Sequence, residues 1–242
     1  MTWVLLIAIT FIASTVQSAI GFAFALIVVP AYFLLLGTID GVQVAIILSV
    51  VMSVTLLPKL QLDTPLYILK WLAFGCTVGF PIGLYTYNNI NLTILKFLLA
   101  VFLIVICIQN GLNLFKKNLL KTKHDKITLT ITGVLSGILG VVLAMPGPLV
   151  MLYLSRTALS RDEIRATMIS FFVFIYIAIL ILQVSIIGIE RETWLTSAYL
   201  TPAALLGVIS GHYISKNINE TMFKVLILVI LIFTGITMLI NI

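Results

Sequence analysis

Long apolar runs alternate with short polar interruptions along this chain. The runs cover roughly 3–36, 42–57, 66–87, 93–115, 127–155, 164–187, 193–214 and 221–240. The interruptions read GTIDG, PKLQLDTP, YNNIN, KKNLLKTKHDK, SRTALSRDE, GIERE and SKNINE. About 20 apolar residues carry a helix across the hydrocarbon core, so most runs predict single membrane-crossing helices. Two runs are too long for that. Segment 127–155 holds Pro146-Gly147-Pro148, and segment 3–36 holds Pro30 at a related place. Proline removes a helical donor and stops the ladder, so each long run predicts two half-helices around an interruption. The short alternating segments of a membrane β-barrel are absent from the sequence.

The pattern repeats. GFPIGLYTYNNINLTILKFLLAVFL from Gly79 aligns without gaps on GVISGHYISKNINETMFKVLILVIL from Gly207. Gly79, Gly83, Tyr85, Asn89, Ile90, Asn91, Thr93, Lys96, Leu98, Val101 and Leu103 recur 128 residues later, 11 of 25 positions. The shared residues include polar ones, which apolar composition alone does not supply. Upstream, STVQSAIG (14–21) lies over GVLSGILG (133–140). The expected organisation is a first membrane repeat at 1–115, a cytoplasmic linker at 116–126 and a second membrane repeat at 127–242.

Charge decides how the runs cross. If all eight span, the best orientation leaves 8 Lys/Arg inside and 6 outside, a poor fit to the excess of cations expected in cytoplasmic loops. If 127–155 enters and leaves on one side, the count becomes 12 inside against 2 outside, Lys96 and Arg191. Each half then has an odd number of crossings, so the halves are inverted relative to each other. The fold class expected is an all-α polytopic membrane protein of two inverted repeats. Each repeat is a broken or re-entrant helical hairpin plus three transmembrane helices, and both termini lie outside. The apolar N-terminus lacks the positive region of a signal peptide and matches the second half, so it reads as part of the mature chain.

Composition narrows the function. Only 9% of residues are charged and 62% are hydrophobic, against roughly 25% charged in a soluble domain. The net charge of +6 is what topology-setting loops produce. With no basic run interleaved with aromatics, nucleic acid is not an expected partner. Cys76 and Cys107 sit in apolar runs and read as packing residues. All eight acidic residues fall in loops or at segment ends, which argues against a cation site built on buried carboxylates. HExxH, GxSxG, paired acids and Cys/His clusters are all missing from the sequence. No catalytic residue, metal or cofactor is expected, and an enzyme is the weakest reading.

An interrupted membrane helix leaves backbone groups that lipid cannot satisfy, so they must face protein or a wet cavity. The N-terminus of a half-helix offers N–H groups and partial positive charge to an anion. The candidate substrate-binding residues therefore cluster at the interruptions. They are Ser136, Gly137, Gly140, Pro146, Gly147 and Pro148 in the second half, and Gln17, Ser18 and Gly21 in the first. Arg165 and Thr167, at the start of the next helix, and Gln43, in the place that Arg165 takes in the other half, complete the set. For Arg165 the competing role is a snorkelling anchor at the cytoplasmic face.

At these residues the sequence resembles the TauE/SafE family of sulfite and organosulfonate exporters. GVLSGILGVVLAMPGPLVMLYL (133–154), RATMISFF (165–172) and PAALLGVISGHYISKNINETMFKVL (202–226) carry the resemblance, with QSAIGFAFALIVVPAYFLL and GFPIG in the first half. Where the family often has a glycine cluster, Gly21 is followed here by Phe22-Ala23-Phe24-Ala25, a bulkier and more apolar first-half site. The resemblance implies a permease of the bacterial inner membrane that moves small sulfur-containing or related carboxylate anions by alternating access. The partners it implies are that small anion and the lipid bilayer, with a homodimer as one option for the oligomeric state. A membrane scaffold or assembly factor without transport activity is the alternative.

Overall fold

The computed structural model describes residues 2–38, 40–59, 64–91 and 125–214, with isolated helical positions between 93 and 105. Most of the expected helix at 93–115, all of the last one at 221–240 and nearly all of the 116–126 linker lie outside the described residues. Among the described residues the fold is helical throughout. In chain order the helices are α1 (Thr2–Ile20), α2 (Phe24–Leu36), α3 (Asp40–Leu56), α4 (Leu66–Asn89), α5 (Lys126–Leu143), α6 (Gly147–Leu154), α7 (Arg161–Leu182) and α8 (Arg191–Ile214). A 3₁₀ turn at Leu57–Lys59 follows α3, and a π-helical turn at Gln183–Ile187 continues α7. Helices α1, α4, α5, α7 with its π turn, and α8 are long and apolar enough to cross a membrane. The protein is a polytopic α-helical membrane protein.

Both long runs are broken, but unevenly. In each, a helix of near-spanning length comes first and a shorter one follows, rather than two equal halves. The second break is Ala144-Met145-Pro146. The amides of Ala144 and Met145 both donate to the Leu139 carbonyl, closing α5, and Pro148 falls in the first turn of α6, where a missing N–H costs nothing. The first break is Gly21-Phe22-Ala23, with Gly21 at φ 98° and Ala23 at φ 99°. Pro30 is not at this break. It lies inside α2, so its expected kinship with Pro148 is corrected. The aligned stretches 14–21 and 133–140 share register, but α5 runs four residues further to its break, close to one helical turn. A comparison that holds the register at 14–21 therefore misses the true counterpart of the break.

Helix pairing crosses between the halves. The most extensive packing joins α4 to α5, and α1 to α8. Both crossings rest on small residues. A Cβ on Gly75 would meet the Thr130 carbonyl and Gly133, and one on Gly79 the Val134 carbonyl. One on Gly83 would come 2.9 Å from Val141 Cβ. On the other pair, Gly207 lies against the Phe11 carbonyl and Ser14, and Gly211 against Thr15 and Ser18. In a membrane, close backbone approach of this kind supplies the association that hydrophobicity supplies in water. The Cys76 thiol donates to the Gly133 carbonyl at 3.2 Å and the Ser18 hydroxyl to the Val208 carbonyl at 2.7 Å.

The contact registers give directions. Contacts advance together along α4 and α5, and together along α1 and α8. Lys126, which opens α5, sits 5.5 Å over the ring of Trp71 near the start of α4. Thr64, just before α4, approaches Ser170 of α7, and further along α7 Ile175 and Ile179 approach Gly140 of α5. Helices α4, α5 and α7 therefore run in one direction. Arg165, near the start of α7, reaches Ser18 near the end of α1, and Gln43, near the start of α3, reaches Gly188 beyond the end of α7. Helices α1, α3 and α8 run the other way. Since α5 and α7 both start from one end, α6 and the 155–160 turn bring the chain back to it.

The glycine crossings set the first prediction. Gly79→Val should remove the closest approach of α4 to α5 and destabilise the protein by about 3 kcal/mol or more, as overpacked cores do. Leu206→Val, on the exposed face of α8, should stay within about 0.5 kcal/mol. Thermal unfolding of the purified protein in detergent measures both.

Candidate functional site

The starts of α2 and α6 face each other in the middle of the fold. Between them lies a cavity of about 10 Å³, at the lower limit for one water molecule. Gln17, Ala23, Ala25 and Leu26 line it from the first break, and Met145, Gly147 and Pro148 from the second. Phe172 and Tyr176 of α7 close it. A Cβ on Gly147 would stand 2.7 Å from the tip of the Phe172 ring, so a larger residue there would push that ring aside.

Gln17 is the polar side chain of this cavity with capacity to spare. Its residue is buried. Its Oε1 accepts from the Phe24 amide at 3.1 Å, capping the start of α2, while its Nε2 has no hydrogen-bond partner. A buried amide donor left unmade costs about 1–3 kcal/mol, and nothing in lipid relieves it. The site thus combines two helix N-termini with one unused donor, an arrangement complementary to negatively charged oxygen. The Tyr176 hydroxyl donates to the Ala144 carbonyl at 2.9 Å. It thereby satisfies an acceptor that the second break exposes, and fixes the ring over the cavity.

Arg165 lies beside the first break. Its Nη2 donates to the Ser18 carbonyl at 2.6 Å, and a Cβ on Gly21 would come 3.3 Å from the Arg165 backbone. The end of α1 and the start of α7 are thus held together by a charge-assisted bond, of a kind worth roughly 1.5–3 kcal/mol. The capping box of Ser160 and Glu163 sets the first turn of α7 and so the height of Arg165.

The other expected residues take different places. Ser18 is buried, and its hydroxyl and carbonyl both serve helix packing. Gly137 lies against the Cys76 backbone at the α4–α5 crossing. Gly140 faces Ile175, Ile179 and Pro146, just behind the cavity. Ser136 is buried with its hydroxyl unpartnered. Thr167 back-bonds to the Glu163 carbonyl within α7. Gln43 donates to the Gly188 carbonyl at 3.0 Å, just beyond the π turn that continues α7. Phe172 and Tyr176 were not among the expected site residues, because aromatics in an apolar run look like ordinary core. Their signal was position, one and two turns beyond Met168 on the face that the breaks need covered.

No group of His, Cys, Asp or Glu side chains among the described residues is arranged to hold a metal ion. No curated protein and no solved structure matches the chain. The family model described as sulfite exporter TauE/SafE matches residues 6–238, nearly the whole sequence. That span covers both breaks, the cross-half helix pairs and Arg165, and the chain therefore belongs to the TauE/SafE sulfite exporter family.

Proposed function

We propose that the protein is a secondary transporter of a small oxyanion, sulfite or an organosulfonate or a related carboxylate, and that the cavity between the starts of α2 and α6 is its binding site in a closed, occluded state. The observation that carries this is the unused Gln17 Nε2 donor between two helix N-termini. The anion's oxygens take that donor and the first-turn amides. Partial charges and a single amide hold it more weakly than a buried cation would, which suits release. The Phe172 and Tyr176 rings must move aside for entry, and the closed cavity holds too little space for a sulfonate as it stands. Arg165, at the near end of α7, draws the anion toward the first break and releases Ser18 as it does so. Thr167, Ser136 and Gly140 shape the surroundings without direct contact.

The same reading makes the two halves, 1–115 and 127–242, inverted repeats joined by a linker on the cytoplasmic side. What supports it is direction: α1, α3 and α8 oppose α4, α5 and α7, so α1, α3 and α4 run against α5, α7 and α8, their counterparts. Inverted repeats around broken helices are a recurrent plan for alternating access. Lys59, Lys70, Lys126, Arg156, Arg161 and Arg165 fall at the end where α4, α5 and α7 begin, and Arg191 at the other. Cation excess marks the former as cytoplasmic and puts the N-terminus outside.

Transport in proteoliposomes tests the site. Wild type should show saturable flux of labelled sulfite or a small sulfonate. Gln17→Glu keeps the acceptor that caps α2 but replaces the donor with a negative charge. It should lower flux at least tenfold, in line with loss of a hydrogen bond to a charged group, while the variant still elutes as a folded protein in gel filtration, the two helix N-termini offsetting part of the cost of burying its carboxylate. Flux equal to wild type in that variant, or no saturable flux across a panel of small sulfur and carboxylate oxyanions, would sink the proposal. Orientation has its own test. In a background without Cys76 and Cys107, single cysteines at Lys121 and Asp162 should label from the cytoplasmic side, and one at Glu192 from the opposite side.

A further inference from the structure

The crossings of the fold are not equally closed. Helices α3 and α8 pack together tightly, with Ser49, Met52 and Ser197 buried. The related crossing of α4 and α7 is looser. It leaves a groove of about 420 Å³ lined by Leu66, Leu69, Lys70, Ala73, Phe171 and Phe174, with Ser170 at its polar edge. Leu66, Leu69, Lys70 and Ala73 recur at the spacing of one helical face, so the groove runs along the first two turns of α4. At roughly 30 Å³ per water-sized group in a liquid, this space takes about 14 such groups. That is most of one acyl chain.

Two features say what fills it. The first is charge. Lys70 is the one charged residue that lines the groove, is exposed, and makes no ion pair or hydrogen bond with a described residue. The second is depth. Tyr67, Trp71 and Phe74 stack edge to face beside it, with Lys126 over the Trp71 ring. Tyr and Trp concentrate at the membrane–water interface, so this cluster puts Lys70 at headgroup level. Basic pockets between membrane helices are the places where anionic headgroups settle.

We propose that this groove binds one anionic phospholipid, its headgroup on Lys70 and one acyl chain between α4 and α7. Bound there, the lipid wedges against α7, whose Phe172 and Tyr176 close the central cavity. The site stands apart from the transport reading, since a lipid binds here whatever the central cavity carries.

The test uses the full chain, purified in detergent and delipidated, with phosphatidylglycerol or phosphatidylcholine added at a low mole fraction. Native mass spectrometry and thermal unfolding are the readouts. Wild type should retain one phosphatidylglycerol in preference to phosphatidylcholine and unfold at a higher temperature with it. Lys70→Gln, an exposed change, should weaken phosphatidylglycerol retention about fivefold and leave phosphatidylcholine retention alone. Ala73→Phe should reduce retention of both lipids by filling the groove. Equal retention of the two lipids by wild type, or a preference that survives both substitutions, would mean a shell of ordinary surrounding lipid and overturn the proposal. Concentration-dependent dimers that Ala73→Phe abolishes would overturn it in favour of a second copy in the groove.

Discussion

A peptide group without a hydrogen bond has nowhere to go in hydrocarbon. That constraint organises this molecule. Each half breaks a helix inside the membrane-embedded region, and each break exposes amides and carbonyls. Some are satisfied locally: Gln17 caps α2, Tyr176 takes the Ala144 carbonyl, and Arg165 takes the Ser18 carbonyl. The starts of α2 and α6 face each other across the cavity. The cavity is thus a consequence of breaking two helices in a protein that must hide both interruptions.

The small-residue crossings allow it. Hiding two breaks requires the flanking helices to come unusually close, and only Gly, Ser and Cys at the contacts permit that. Gly79 and Gly83 recur as Gly207 and Gly211 in the aligned repeats, and both pairs lie where a first helix of the opposite half crosses.

Much of this was legible in the sequence. The apolar runs located the helices, and Pro146-Gly147-Pro148 located the second break. Loop cations required the chain to return to one side after 127–155, and the directions of α5 and α7 agree. Arg165 and Gln17 were legible as polar residues near predicted breaks. Pro30 was misleading because proline is tolerated within a membrane helix, while Gly21 and Ala23 turned the chain through positive φ without any proline. For Gln43 a one-dimensional alignment gave the position along the helix and not the neighbour, Gly188, that its side chain meets. Phe172 and Tyr176 were invisible as site residues, since an aromatic over a cavity and an aromatic in a core have the same sequence signature.

The helix pairs α1–α8 and α4–α5 each take one member from either half. Among the described residues the halves are therefore interlaced rather than docked. A conformational change that slid one half past the other would tear open both of the tightest contacts in the molecule. The bodies that can move intact are the cross-half pairs, each carrying one break with it. A motion of one pair against the other would leave the glycine seams closed and change only the angle between the pairs.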